Sequence, residues 1–218
     1  MFTEITNDLQ LAKLSQEKAN ILESKLTVKE ISESLANMKN GKTPGIDGFP
    51  TEFFKVFWNK LKYFILRAYN WSYNSAKMSP SLRQAIISCI PKGGKLRLLL
   101  KNWRPISLLS VIYKILSATI ASRIKTVLEI LIAKTQTVFV AGRFIGENTR
   151  LIYDLLHYTE KENIPGLLML IDFEKAFDSV SWKFLYNTLS LLGFGPKLIK
   201  WLKLFNTDII AYVQQCGV

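Results

Sequence analysis

A continuous apolar run, Leu167-Leu-Met-Leu-Ile171, ends directly at a carboxylate, Asp172, and constrains the fold more than any other feature. Such a run is typical of a strand that is covered on both faces. Most of the remaining chain carries apolar residues at helical spacing. The sequence therefore predicts an α+β, helix-rich fold in which a buried strand presents Asp172 at its carboxyl end.

Helix boundaries are marked by capping residues, prolines and glycines. Thr27 and Glu30 form a capping box, and Pro50 and Pro196 each open a helix. The helix after Pro50 has a broad aromatic face, made of Phe53, Phe54, Phe57, Leu61, Phe64 and Ile65. Further helices are predicted over roughly 108–131, 146–160 and 181–193.

The strand signals are weaker. Ala85 to Ile90 is rich in residues that favour strands, and residues 91–94 have turn chemistry. Leu96 to Leu100 is predicted as the returning strand, and Ile209 to Gln214 as a strand near the end of the sequence.

The positive charge is concentrated in one block. The chain has 29 Lys and Arg against 17 Asp and Glu, a net charge of +12. Residues 76–143 alone hold 12 basic side chains and one acidic side chain, Glu129, which is +11. Charge of one sign, concentrated in this way, indicates a polyanionic partner.

Cysteine and histidine usage excludes two classes of protein. Cys89 and Cys216 are far apart in sequence, and His157 is the single histidine, so neither a disulfide framework nor a Cys/His metal cluster is expected. The first 25 residues are too polar for a signal peptide. The most apolar stretch, 106–124, is interrupted by Lys114 and is interpreted as a buried helix. We therefore expect a soluble protein of a reducing compartment, neither secreted nor membrane-bound.

Two groups of residues suggest chemistry. Asp172, fixed at a strand end, could bind a divalent cation, or it could merely cap the following turn. Basic side chains cluster around a glycine turn that also contains Trp103, where they could bind phosphates: Lys92, Lys95, Arg97, Lys101 and Arg104. The alternative is a solvated hairpin, but a solvated face normally mixes charges of both signs.

Five sequence blocks occur together in one order. They are Asn40-Gly-Lys-Thr-Pro-Gly-Ile-Asp-Gly48, Ile90-Pro-Lys-Gly-Gly-Lys95, Asn102-Trp-Arg-Pro-Ile-Ser107, Gln136-Thr-Val-Phe-Val-Ala-Gly-Arg143 and Ile171-Asp-Phe-Glu-Lys-Ala-Phe-Asp178. In this order and spacing they resemble the reverse transcriptases of non-LTR (LINE-type) retrotransposons, over roughly residues 27–218. A group II intron maturase is the nearest enzymatic alternative, and the residues of the first and third blocks favour the LINE type.

The resemblance implies a right-hand polymerase with fingers, an incomplete palm and no thumb. Residues 27–165 would be the fingers-like region and 166–218 the start of the palm, and the polar helical pattern before them predicts an N-terminal extension over residues 1–26. The implied reaction is template-directed dNTP addition by two-metal phosphoryl transfer, with Mg²⁺, or Mn²⁺ in its place, as cofactor. The implied partners are an RNA template, a DNA primer or target, and dNTP. A nuclear or cytoplasmic location follows from the family alone, and the oligomeric state is left open.

The resemblance also assigns roles to residues. Asp172 would be the catalytic, metal-binding aspartate, assisted by the backbone carbonyl of Phe173. Contacts with the incoming dNTP would come from Lys92, Lys95, Arg104 and Phe177, the last as a steric gate against a 2′-hydroxyl. Phe177 could equally be a core residue. Nucleic acid would be contacted by Arg97, Lys101 and Arg143. Asp178 fits a structural role better than a metal-binding one.

The chain departs from the family pattern after the first aspartate block. The resemblance predicts an Arg-Gln-Gly-Asp-Pro block and then Tyr-x-Asp-Asp, but no Asp-Asp pair occurs in the 218 residues. One palm aspartate cannot hold two cations against their mutual repulsion. We therefore expect this chain alone to be catalytically inactive. The alternatives are a non-catalytic basic RNA/DNA-binding module and the product of a decayed element.

Overall fold

The structure is a computed structural model that describes residues 11–214, so the first ten residues of the predicted N-terminal extension lie outside the described range. Within that range the helices are α1 (Gln16–Leu22), α2 (Val28–Ala36), α3 (Thr51–Ser75), α4 (Val111–Leu131), α5 (Gly146–Lys161), α6 (Trp182–Leu191) and α7 (Pro196–Leu204). The strands are β1 (Gln84–Pro91), β2 (Trp103–Leu109) and β3 (Ile210–Gln214). The predicted helix-rich α+β character is confirmed.

The three strands form one sheet in the order β2-β1-β3. β1 pairs with β2 in antiparallel fashion, with Ala85 opposite Leu109 and Pro91 opposite Trp103. β1 pairs with β3 in parallel, with Ala85 opposite Ala211. The start of β3 is also held by Asp208, whose carboxylate lies 3.2 Å from an Arg83 guanidinium nitrogen.

The chain divides into two units, and each is discontinuous in sequence. The larger unit combines residues 23–122 with the segment from 196 onward and contains the sheet. The smaller unit combines the segment up to residue 22 with residues 123–195. Helix α4 contributes residues to both units.

The larger unit has a core formed by its helices. The predicted capping box at Thr27 is present, since the Thr27 hydroxyl accepts from Glu30 N–H and the Glu30 carboxylate accepts from Thr27 N–H. Inside the unit, the Ser34 and Thr119 hydroxyls hydrogen bond at 2.8 Å, which links α2 to α4. Nearly inaccessible side chains complete the core: Ile31, Leu35, Tyr69, Ile115, Leu116, Ile120 and Leu198.

A loop glycine packs against the junction between β2 and α4. An added Cβ at Gly45 would overlap the backbone of Leu109 and Ser110, which adjoin that junction. Nearby, the Gly41 N–H donates to the Glu52 carboxylate, and this hydrogen bond lowers the pKa of Glu52. The loop after α2 is therefore hydrogen bonded to α3 at Gly41 and packed against the β2–α4 junction at Gly45.

The smaller unit is held together by contacts between its two sequence segments. Leu14 N–H donates to Leu192 C=O at 2.9 Å. The buried Arg123 side chain donates to Leu22 C=O at 3.1 Å, and Leu22 is the last residue of α1. A positively charged donor at a helix carboxyl end satisfies an unpaired carbonyl and complements the helix dipole.

The apolar run before Asp172 is not a buried strand, so that prediction is wrong. Residues 167–171 have no regular secondary structure, and their side chains are between 52% and 86% exposed. A strand forms only when a neighbouring strand accepts and donates backbone hydrogen bonds. Among residues 11–214, all strands lie in the β2-β1-β3 sheet, so the run has no pairing partner there.

Two further expectations need correction. Leu96 to Leu100 is not the returning strand, because β2 begins at Trp103. The aromatic face of α3 is split: Phe54 and Ile65 are buried, whereas Phe57 and Phe64 are exposed. None of the helices in the described range combines the length and apolar character needed to cross a membrane.

The buried Tyr69 makes the stability of the fold sensitive to alkaline pH. Its hydroxyl donates to Ile112 C=O at 2.7 Å, and burial raises the pKa of Tyr69. Because the pKa of Tyr69 is higher in the folded state than in the unfolded state, folding is favoured fully at pH values below the unfolded-state pKa of about 10. This contribution is lost progressively as the pH rises from that value toward the folded-state pKa. We expect Tyr69→Phe to lower the free energy of unfolding at pH 7 by about 1 kcal/mol.

The same substitution should flatten the decline in stability above pH 10, measured by urea unfolding at a series of pH values. Burial also raises the pKa of Tyr113, so part of the decline will persist in the Tyr69→Phe protein. An unchanged alkaline slope in Tyr69→Phe would show that ionisation of this phenol does not limit stability.

Candidate nucleotide and nucleic-acid interface

The connection between β1 and β2 is an ordered basic turn, which we define as Lys92, Lys95, Arg97, Lys101 and Arg104. Lys92 N–H donates to Asn102 C=O at 2.7 Å, which extends the ladder by one pair beyond β1. The Asn102 amide donates to Leu96 C=O, and the Trp103 indole N–H donates to Arg97 C=O at 2.7 Å. Asn102 and Trp103 thus organise the turn that carries the cations.

Two of these cations lie on the same face of the hairpin. Arg104 stands directly opposite Ile90, and side chains two residues apart on a strand point to the same face. Lys92 follows Ile90 by two residues, so Lys92 and Arg104 are diagonal neighbours. The Lys92 ammonium donates to Lys101 C=O at 2.7 Å, which fixes its position.

The remaining cations of the basic turn are open to solvent. Lys95, Arg97 and Lys101 are exposed, and so are Leu96, Leu98 and Leu100 between them. No acidic residue lies in the connection from Lys92 to Asn102. The turn therefore presents positive charge that neighbouring carboxylates in its own sequence do not neutralise.

The Arg143 side chain is held in place by hydrogen bonds to the backbone. Its guanidinium donates to four backbone carbonyls, those of Glu129, Ile132, Ala133 and Gln136. These carbonyls lie at and just beyond the carboxyl end of α4, where helical carbonyls lack intrahelical partners. The contact of Arg143 with nucleic acid stays a prediction, and such a contact would have to form while these four hydrogen bonds are in place.

Asp172 lies in an exposed, irregular segment. Residues 164–173 have no regular structure, and a series of turns follows from residue 174 to α6. Asp178 N–H donates to Lys175 C=O within these turns, so Asp178 sits in a backbone turn of its own. The Asp172 carboxylate and the Phe173 carbonyl are consecutive oxygen donors on an accessible stretch of chain.

A single carboxylate fits one part of a magnesium site. Across residues 11–214, no three His, Cys, Asp or Glu side chains come together in a group that could hold a metal ion. Mg²⁺ commonly uses only one or two carboxylates, with the rest of its shell coming from water and substrate phosphates. Asp172 and Phe173 therefore fit as protein ligands to such an ion, provided that the substrate supplies further oxygens.

Phe177 is not a core residue. Its side chain is 84% exposed, and its ring and that of Phe139 form a T-shaped pair with centroids 6.1 Å apart. Phe139 is itself exposed and adopts a left-handed backbone conformation, with φ of 65°. The sequence assigns Phe139 no role, because neither its left-handed backbone nor this ring contact can be read from the block that contains it.

The predicted site residues fall into two groups. The five cations of the basic turn lie together in the larger unit. Asp172, Phe173, Phe177 and Arg143 belong to the smaller unit. Trp103 and Asn102 are the positioning residues that the geometry adds to the first group.

The comparisons with known proteins agree with one another. Residues 90–218 match the family model described as "Reverse transcriptase (RNA-dependent DNA polymerase)". The chain is 40% identical over 190 residues to the "Transposon TX1 uncharacterized 149 kDa protein" of Xenopus laevis, covering 87% of this chain and 14% of that protein.

Two further relatives are more distant. One is the "Retrovirus-related Pol polyprotein from type-1 retrotransposable element R1" of Bradysia coprophila, 23% identical over 195 residues, covering 88% of this chain and 19% of that protein. Another is the "RNA-directed DNA polymerase from mobile element jockey" of Drosophila funebris, 29% identical over 185 residues, covering 83% of this chain and 20% of that protein. The chain thus spans between 14% and 20% of the length of these relatives.

Proposed function

Because this chain belongs to the reverse transcriptases of non-LTR, LINE-type retrotransposons, we propose that it supplies the nucleotide-binding and template-binding part of an RNA-directed DNA polymerase. The observation that carries the proposal is the basic turn, in which hydrogen bonds order the backbone of a hairpin end that carries five cations. Its partners are an RNA template, a DNA primer or target, and dNTP.

The basic turn attracts phosphates. Lys92 and Arg104 share a face of the hairpin, and with Lys95 they would contact the triphosphate of the incoming nucleotide. Arg97 and Lys101 are exposed on the same connection and would contact the nucleic-acid backbone. An ordered backbone that already brings several cations together reduces the entropy that is lost when phosphates bind.

Asp172 contributes a carboxylate and Phe173 a backbone carbonyl to a divalent cation, which we propose to be Mg²⁺. Bound divalent cations activate the attacking primer 3′-hydroxyl and stabilise the charge on the leaving pyrophosphate. Asp172 has one carboxylate to offer, so full activity requires further carboxylates. The accessible position of the segment allows substrate oxygens to complete the shell.

Phe177 would contact the sugar of the nucleotide. A ring packed under the sugar leaves no room for a 2′-hydroxyl, which favours dNTP over rNTP. The exposure of the ring supports this role over a core role, and Phe139 limits the directions in which the ring can turn.

A non-catalytic RNA/DNA-binding module is the second candidate, favoured because no three His, Cys, Asp or Glu side chains among residues 11–214 come together in a group that could hold a metal ion. The two functions differ in their dependence on Mg²⁺ and on Asp172. Incorporation of dNTP requires both. Simple binding requires neither but weakens steeply with salt.

The basic turn is tested by measuring affinity for a primer–template at several salt concentrations. We expect Lys95→Ala/Arg97→Ala to weaken binding and to reduce the slope of log affinity against log salt by roughly 1–2, because two phosphate contacts are lost. Both side chains are exposed and outside the hydrogen bonds that order the turn, so the fold should persist.

The matched control is Lys18→Ala/Lys161→Ala, which removes the same charge from exposed lysines on α1 and α5. It should change affinity much less and leave the salt slope near that of the unmodified chain. Affinity that does not change between about 50 and 200 mM salt would contradict the proposed role of the basic turn.

A further inference from the structure

Helix α3 has an exposed face on which aromatic and basic side chains alternate. We define this α3 outer face as Phe57, Lys60, Phe64, Arg67 and Trp71. Its three aromatic side chains are 43%, 67% and 58% exposed in chain order, and both cations are also exposed. Such large apolar rings are seldom left together on a surface that contacts nothing.

The alternation follows from the spacing of the residues. Phe57, Phe64 and Trp71 recur at intervals of seven, and Lys60 and Arg67 stand between them. Residues three, four and seven apart lie on one side of an α-helix. The five side chains therefore form a line along α3, whose ends are about 21 Å apart at a rise of 1.5 Å per residue.

The opposite side of α3 is the one that packs in the larger unit. Phe54, Ile65, Tyr69 and Ser72 are buried, and the Trp58 indole N–H donates to the Ser32 hydroxyl of α2 at 2.8 Å. The α3 outer face is thus not needed to hold the helix in place.

The charge on this face is positive only. None of the exposed side chains of α3 is acidic, and neither Lys60 nor Arg67 has an ion-pair partner among residues 11–214. The one acidic residue of the helix, Glu52, instead accepts a hydrogen bond from Gly41 N–H. The face is therefore complementary to an anionic partner.

We propose that the α3 outer face binds single-stranded nucleic acid, with bases stacked on Phe57, Phe64 and Trp71 and phosphates paired with Lys60 and Arg67. Aromatic rings stack with any base, and interleaved cations neutralise the backbone, so the site would be tolerant of sequence. This site lies outside the basic turn and is not needed for the chemistry of nucleotide addition.

A second copy of the chain fits this face less well. A helix that paired with it along a seven-residue repeat would bury Lys60 and Arg67 in the seam. Burying cations without a partner is costly, and the same face of a second copy would bring further cations rather than carboxylates. A polyanion satisfies both kinds of side chain on the face.

The test measures binding of the chain to labelled oligouridylate of about 15 nucleotides, a length within the usual range of single-strand sites. We expect Phe64→Ala/Trp71→Ala to weaken binding at least about 30-fold, for two lost stacking contacts, while the salt slope stays unchanged, since stacking releases no counterions. Lys60→Ala/Arg67→Ala should weaken binding and reduce the salt slope by about 1.4, for two phosphate contacts to a single strand.

Tyr153→Ala/Tyr158→Ala is the matched aromatic control, because both tyrosines are exposed on α5. Lys18→Ala/Lys161→Ala again controls for charge, and circular dichroism verifies that each variant is folded. Both control variants should bind RNA as the unmodified chain does.

The inference is overturned if both α3 variants bind the oligonucleotide like the unmodified chain. It is also overturned if Phe64→Ala/Trp71→Ala abolishes self-association in sedimentation velocity and leaves RNA binding intact. If the α3 variants bind the oligonucleotide more weakly than the unmodified chain, and Lys95→Ala/Arg97→Ala binds it equally well, the result supports this site. The same result contradicts the role given to the basic turn.

Discussion

Replacing Asp172 by asparagine should lower primer extension by at least about 100-fold, because even residues that only support a metal ligand cost 10–100-fold when they are lost. The assay needs the further carboxylates, so it uses a fusion that continues this chain with the residues beyond the matched segment of the Drosophila funebris jockey protein. Asparagine keeps the size of the side chain and removes the charge that attracts the cation. Extension of a labelled primer on an RNA template is measured with Mg²⁺ present.

Asp178→Asn is the matched control for this experiment. Asp178 lies six residues further along the same irregular segment, in the turn closed by its own N–H to Lys175 C=O. We expect Asp178→Asn to retain most of the activity. Equal losses in the two variants would argue that the segment needs negative charge in general, and full activity in Asp172→Asn would refute the metal-binding role of Asp172.

Replacing Gly45 by alanine should lower the free energy of unfolding by about 3 kcal/mol, at the upper end of the usual cost of overpacking. The added methyl group would overlap backbone atoms of Leu109 and Ser110, which cannot move aside as a flexible side chain can. A loss of this size is a large part of the total stability of a typical domain. Urea unfolding followed by circular dichroism measures it.

Gly93→Ala is the corresponding control. A Cβ at Gly93 would meet no atom within 4 Å, and its backbone is not left-handed. Its stability should remain within about 0.5 kcal/mol of the unmodified chain. If Gly45→Ala lowered the free energy of unfolding as little as Gly93→Ala does, the loop and the β2–α4 junction could move apart at little energetic cost, and the predicted loss would be wrong.

The helices could be predicted from the sequence because their signals are local. The Thr27 capping box and the prolines at positions 50 and 196 stand where α2, α3 and α7 begin. These signals act within one turn of the chain and need no knowledge of the neighbours. Even so, the apolar periodicity of α3 did not reveal that Phe57 and Phe64 lie outside the core.

The sheet could be predicted only in part because pairing is not local. β1 and β3 were recognised by composition, but their parallel pairing joins residues more than 120 positions apart, such as Ala85 and Ala211. β2 contains Pro105, which argues against a central strand. The structure resolves this by placing β2 at one edge of the β2-β1-β3 order.

The candidate site also contains one part that local sequence predicts and other parts that depend on residues distant in the chain. The basic turn could be predicted from the sequence, because its cations and glycines all lie within residues 92–104 and β1 precedes them. The irregular structure of the segment before Asp172 could not be predicted from the sequence, because composition gives no sign of whether a pairing strand is present. The fork of Arg143 on four carbonyls and the contact of Phe139 with Phe177 likewise depend on how the chain returns in space.

The parallel pairing of β1 with β3 has a consequence for synthesis of the protein on the ribosome. Ala85 leaves the ribosome long before Ala211, its partner in the sheet. At roughly 5–20 residues per second, one edge of β1 stays open for on the order of 10 s in each nascent chain. During that interval the hairpin of β1 and β2 can form, but the larger unit cannot close. A nascent chain of this protein should therefore depend on chaperones, or on slow translation of the residues before β3, to avoid edge-to-edge association.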